Sequence, residues 1–206
     1  MTVKSCESVP FSVGNRPRRA VSLWLRDGFI LATACWSVLV VAAPFLASRP
    51  HTSSLESLMV LGVYAIGSLV CHQLPERSYH LWTAQLPVCA RCTGIYFGAV
   101  LGAFGSTWAR AFARLSDARE ARVVAAHLGT SALQVDTVRF RSVLWFGSLR
   151  HARVLLGIAA APTALTLAWE WSTGGMPSNA VRAAAGVPIG LVVAWLVVAA
   201  ADNQVN

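Results

Sequence analysis

The sequence predicts an all-α fold, a polytopic membrane helix bundle of about five transmembrane helices with a Cys/His-rich connector between the second and third. Three observations lead there. Hydrophobic residues make up 55% of the 206-residue chain and charged residues 13%, against roughly half and a quarter in soluble proteins, and mean hydropathy is +0.55. The apolar residues gather in five runs separated by polar connectors. One of those connectors concentrates Cys, His, Pro and Arg.

Residues 1–27 read as a basic leader, residues 28–201 as a single membrane domain and residues 202–206 as a tail. Residues 28–47 (GFILATACWSVLVVAAPFLA) carry no charge over 20 positions, about the length an α-helix needs to cross a hydrocarbon core. A small-residue site at Phe45 to Ser48 also fits signal-peptide cleavage, but the leader is long for a signal n-region. Cys35 inside this run reads as a small apolar thiol packed among helices. The five spans are placed at about 28–48, 55–71, 93–110, 152–170 and 182–201. Several uncharged runs are short, so flanking Arg, His and Trp must snorkel toward the headgroups. Gly94, Gly98 and Gly102 give the third span one bare face at four-residue spacing, and Gly186 and Gly190 do the same in the fifth. Such faces let helices approach closely.

Residues 110–153 hold eight Arg and three acids and are too polar to cross. Arg110, Arg114 and the apolar positions between them suggest a basic helix on the membrane surface, and TVRFRSVLWFGSLR at 137–150 a second interfacial piece, with a solvated or disordered loop as the equal alternative. The net charge of +8 arises from 16 Arg and one Lys against nine acids. Basic residues beside apolar spans meet lipid headgroups. They form no stripe interleaved with aromatics, which argues against nucleic acid. Positive charge is nearly even between alternate connectors, so only the basic leader speaks to orientation, and it favours a cytoplasmic N-terminus.

The connector reads Cys71-His72-Gln73, then Glu76-Arg77-Ser78-Tyr79-His80, then Cys89-Ala90-Arg91-Cys92. A Cys-x-x-Cys with Cys71 and His72 upstream offers the ligand types of a tetrahedral zinc site, with His80 as a substitute for His72. The same atoms allow redox chemistry. Cys89 and Cys92 precede the third span, where the helix dipole and Arg91 favour thiolate, and Cys71 could serve as partner thiol. Packed, inert thiols in a loop punctuated by Pro75 and Pro87 are the plain structural alternative. Arg77, Ser78 and His80 could bind an anionic headgroup, since guanidinium forks suit phosphate; Arg77 could equally pair with Glu76 or snorkel. No lipid-phosphatase, protease or nucleotide-binding motif appears, so no catalytic residue or enzyme class is assigned.

The run CHQLPERSYH…PVCARCTGIYFG resembles the signature of a prokaryotic membrane-protein family known as domain of unknown function 2085. Ser178, Asn179, Arg182, Gly186 and Gly190 resemble its C-terminal pattern more loosely, and residues 110–153 look like an insertion relative to shorter members. Glu170 stands where the pattern has Asp. The resemblance implies a multi-pass protein of the prokaryotic plasma membrane and supplies no reaction.

These readings converge on a metal-binding connector holding zinc or another thiophilic divalent metal. The alternatives are a membrane thiol–disulfide oxidoreductase using Cys89 and Cys92, or an enzyme or binder acting on an anionic lipid through Arg77, His80 and Arg182. Parity adds one expectation. The third span leaves the connector's face and the fourth returns to it, so Glu170, Asn179 and Arg182 should meet the connector there, with Glu170 near Arg182.

Overall fold

The computed structural model describes residues 16–50, 53–128 and 149–203, and five helices account for most of them. The first, α1 (Arg16–Ala47), begins well before the apolar run predicted to start at residue 28. Pro44, in its last turn, has no N–H to give the Val40 carbonyl, and the helix ends at Ala47, one residue short of a full turn beyond it. A capping box starts α2 (Ser54–Val70): Glu56 N–H donates to Ser53 Oγ, and Ser53 N–H to Glu56 Oε2. This reciprocal pairing satisfies two of the helix's orphan donors. At Cys71 the backbone turns extended, with φ −146° and ψ 139°, and α2 ends.

The connector that follows contains a short 3-10 turn, Pro75–Arg77, and a small antiparallel hairpin of β1 (His80–Leu81) and β2 (Ala84–Gln85). Trp82 and Thr83 turn the hairpin with φ of 50° and 73°. Both central residues of a type I′ turn sit in this region. Neither is Gly, Asn or Asp, so the usual hairpin signal is missing from the sequence.

From Ala90 a single helix, α3 (Ala90–Leu128), runs for 39 residues. The basic stretch from Arg110 to Leu128 is therefore a continuation of the third span and not a separate surface helix. Beyond Gly105 it contains no Gly or Pro, and its Ala, Arg, Leu and Glu are good helix formers, so nothing ends it. The interfacial piece expected at 137–150 lies outside the described residues, apart from Leu149 and Arg150, which open α4 (Leu149–Thr173). The last helix is α5 (Asn179–Asn203).

Three helical segments, Val21–Ala47, Arg150–Thr173 and Asn179–Asp202, are long and apolar enough to cross a membrane, and Ser54–Val70 is a shorter apolar helix. Their outward faces carry Leu31, Val38, Leu61, Ile158 and Leu165, all exposed, as helices solvated by lipid require. Cys35 also faces outward and is not packed among helices as the sequence suggested.

The tightest contact is between α3 and α5. A Cβ at Gly94, Gly98 or Gly102 would run into the backbone of Ala183, Val187 or Leu191, and one at Gly186 or Gly190 into the carbonyls of Arg91 or Ile95. Both residue numbers rise together along the contact, so the two helices are parallel. Their starts share one end of the bundle, which also holds the connector. The opposite end is clamped by Asp202, which pairs with Arg26 of α1 at 3.2 Å and with Arg110 of α3.

These two ends fix the path of the chain. Near Arg26, α1 lies at the Asp202 end; its Val40 packs with Cys71, Leu86 and Val88, and its Phe45 ring meets Trp82. It therefore reaches the connector end. Only six residues separate Ala47 from Ser54 in the sequence, and α2 finishes at Cys71 beside the same connector. So α1, α3, α4 and α5 run from end to end, whereas α2 finishes at the end where α1 does. At 17 residues, about 25 Å, α2 is also shorter than the ~30 Å hydrocarbon core.

Candidate functional site

The connector places three thiols together. Cys71 caps the C-terminal end of α2, Cys89 comes immediately before α3, and Cys92 lies in the first turn of α3. Their Sγ atoms all lie within 4.8 Å of one another. Cys71 is buried and Cys89 and Cys92 are partly so. Cys89 N–H donates to Cys71 Sγ at 3.1 Å, while its carbonyl accepts from Thr93 N–H and Thr93 Oγ1. Tetrahedral zinc with Zn–S near 2.3 Å holds sulfurs about 3.8 Å apart, so modest side-chain rotation would bring the three onto one ion.

Hydrogen bonding from the Cys92 thiol, with help from the Cys92 and Arg91 backbone N–H groups and from Cys71, holds the Cys89 thiol down at about 5, against burial, which pushes it up. The end of a helix offers such donors because its first N–H groups lack intrahelical partners.

The thiol cluster is supported by residues the sequence reading left aside. Gln73, with φ 51°, donates from Nε2 to the carbonyls of Tyr64 at 2.9 Å and Pro87 at 2.7 Å. Gln85 Nε2 donates to the Gln73 carbonyl at 2.6 Å, and Tyr64 Oη donates to the Gln85 carbonyl. Gly67 must be bare, since a Cβ would strike the Pro87 carbonyl oxygen. These bonds tie α2 to the segment that delivers Cys89. The one sequence signal for Gln73 is its place beside Cys71-His72 in the motif.

The histidines do not join the thiols. His72 follows Cys71 in extended backbone, where successive side chains point to opposite sides. It is exposed. His80 is also exposed, on β1 opposite Gln85. Among the described residues the only group of metal-type ligands is the three cysteines, and neither His72 nor His80 stands with them.

A second cluster forms beside the first. Glu170, 8% exposed near the end of α4, accepts from Arg91 Nη2 at 2.9 Å and Arg182 Nε at 3.1 Å, and Arg77 Nη1 lies 3.7 Å from its other oxygen. Thr166 Oγ1 takes a further Arg91 bond at 3.2 Å. Asn179, at the start of α5, donates from Nδ2 to the Ser78 carbonyl at 3.1 Å. Glu170, Asn179 and Arg182 thus meet the connector at one end of the bundle. Ser78 is almost fully buried, with its hydroxyl donating to the Leu74 carbonyl at 3.0 Å. Its side chain is part of the connector's frame and unavailable to a headgroup. Thr166 was missed because a lone Thr in an apolar run gives no sign of its partner.

Two archaeal proteins resemble parts of the chain. An uncharacterised protein of Methanocaldococcus jannaschii is 40% identical over 63 residues, which is 31% of this chain and 40% of that protein. An uncharacterised protein of Methanothermobacter thermautotrophicus is 53% identical over 30 residues, 15% of this chain and 27% of that protein. The matches span less than half the length of either relative. No solved structure matches the chain. The family described as predicted membrane protein DUF2085 matches residues 71–167, from the first thiol of the cluster almost to the carboxylate of the second. The connector, α3 and most of α4 are therefore the part of the chain that is similar to the DUF2085 membrane-protein family.

Proposed function

We propose that this chain is a metal-binding membrane protein in which Cys71, Cys89 and Cys92 hold zinc or another thiophilic divalent ion. The observation that carries the reading is the approach of three Sγ atoms to within 4.8 Å, one from the end of α2 and two from the start of α3. Three protein ligands leave the fourth tetrahedral position to water or a bound molecule, the pattern of sites that do chemistry more than of closed structural ones. A bound metal would supply Lewis acidity there, and the protein's part is to bring the end of α2 with Cys71 to the start of α3 with Cys89 and Cys92. The host membrane is the prokaryotic plasma membrane, with the N-terminus on the cytoplasmic side.

Metal analysis of detergent-purified protein, coupled to thiol counting, tests this. The expected result is about one equivalent of metal with three thiols protected from alkylation until a chelator is added. Metal-free protein of full stability, with all three thiols freely alkylated, would overturn it.

The position of Cys89 before a helix and of Cys92 one turn later supports a second reading, thiol–disulfide exchange. There the Cys89 thiolate attacks a partner disulfide, one partner thiolate leaves, and Cys92 displaces the other as the Cys89–Cys92 bond forms. The partner is reduced by two electrons and the Cys pair oxidised. The same thiol count separates the readings, because an oxidised pair removes two thiols that no chelator restores.

A further inference from the structure

The arginine cluster has more charge than its carboxylate needs. Arg77, Arg91 and Arg182 surround Glu170, so two positive charges are left unbalanced. No other carboxylate among the described residues pairs with these three. Arg182 is 2% exposed, and its Nη2 is buried with no hydrogen-bond partner; Arg77 Nε and Arg91 Nε are in the same condition. A buried charged donor left unpaired is costly. Three such donors, on side chains that meet at one carboxylate, lack an acceptor among the described residues.

Two further features point the same way. The parallel α3 and α5 begin at this end with Ala90 and Asn179, and the positive ends of both helix dipoles favour an anion. Asn179 spends its amide N–H on the Ser78 carbonyl, which turns Oδ1 elsewhere, and that oxygen is also buried and unpartnered. The place is reachable, since the Arg77 side chain is 38% exposed.

We propose that Arg77, Arg91 and Arg182, arranged around Glu170 where α3 and α5 begin, form a binding site for a phosphate oxyanion, carried by a lipid headgroup or free. Glu170 orients the guanidinium groups and tunes their surplus charge. The unpartnered nitrogens donate to the phosphate oxygens, and Asn179 Oδ1 accepts from a hydroxyl of the same group. The site is distinct from the thiol cluster and does not depend on metal.

The full-length protein, purified in detergent, tests this in two arms. Inorganic phosphate is titrated against thermal melting of delipidated protein, and lipid retained per protein is measured after passage through phosphatidylcholine nanodiscs with and without phosphatidylglycerol. Raised melting with phosphate assigns the site to the free anion; selective retention of phosphatidylglycerol assigns it to the headgroup. Arg77→Gln leaves the Arg91 and Arg182 bonds to Glu170 intact and should weaken binding about tenfold. Glu170→Gln should tighten it by a similar factor, because it removes the competing negative charge. If the arginines serve only to pair Glu170, that variant lowers the melting temperature and gains no affinity for either probe, and the proposal falls. Should one variant fail to purify, the sign of the other's effect decides.

Discussion

Arg26, early in α1, holds Asp202, at the end of α5, at 3.2 Å. Two residues 176 positions apart therefore share one end of the bundle. Five alternating passes would have separated them; the even path described by α1, α3, α4 and α5 brings them together. Impermeant thiol labelling of Val21→Cys and Asn203→Cys should proceed from the same side of the membrane, and labelling at positions 77 and 175 from the other. Labelling of positions 21 and 203 from opposite sides would mean that α2 crosses after all.

The metal reading makes unequal demands on the cysteines and the histidines. Cys71→Ser, Cys89→Ser and Cys92→Ser should each abolish bound metal, whereas His72→Ala and His80→Ala should leave about one equivalent in place. Loss of metal in either histidine variant would show that an imidazole reaches the thiols.

Once metal is removed, the Cys89 thiol should alkylate with a pH midpoint near its lowered value of about 5, far from the ordinary thiol value of roughly 8.5. The sign for stability follows. Between those values the unfolded chain binds more protons than the folded one, so stability is full above the ordinary thiol value and is lost as pH falls toward 5. A midpoint near the ordinary value would remove the helix-end hydrogen bonds as a source of thiolate.

Gln73 joins α2 to the Pro87 carbonyl with donors alone. Gln73→Leu should cost about 1–3 kcal/mol, the usual penalty for stranding buried carbonyls. Gln73→Glu should cost more, because a carboxylate would face two carbonyl oxygens. Equal melting temperatures for the two variants would show that the Gln73 side chain does not hold the loop.

Gly98→Leu should lower thermal stability in detergent by on the order of 3 kcal/mol, since any side chain there meets the Val187 backbone, which cannot rotate away. An unchanged melting curve would place this face toward lipid.

Much of the architecture was legible because lipid imposes simple rules. Apolar length marked the helices, and four-residue glycine spacing marked the faces that pack closely, though not that α3 and α5 pack on each other. The thiol cluster was legible from Cys71, Cys89 and Cys92, whose spacing survives folding because the connector returns on itself. What failed depended on direction. Adjacency in sequence made His72 look like a ligand, yet the extended backbone at Cys71 sends neighbouring side chains apart. That α2 finishes where α1 does was hidden because composition records how apolar a helix is and not where its two ends lie. The meeting of Glu170 with Arg182 followed from parity alone, but the arrival of Arg91 and Arg77 at the same carboxylate needed coordinates.

The glycine seam between α3 and α5 has a mechanical consequence. A helix contact built from side chains has compliance, since rotamers can shift to absorb a small slide or tilt. Backbone seated on backbone from Gly94 to Gly102 has no such slack, so the pair behaves as one stiff rod with Arg91, Cys92 and Arg182 fixed at its tip. Asp202 sits at the other end of that rod, where it grips α1 through Arg26. A tilt imposed there would be delivered undamped to the tip, moving both charge and thiols relative to the loop that carries Cys71.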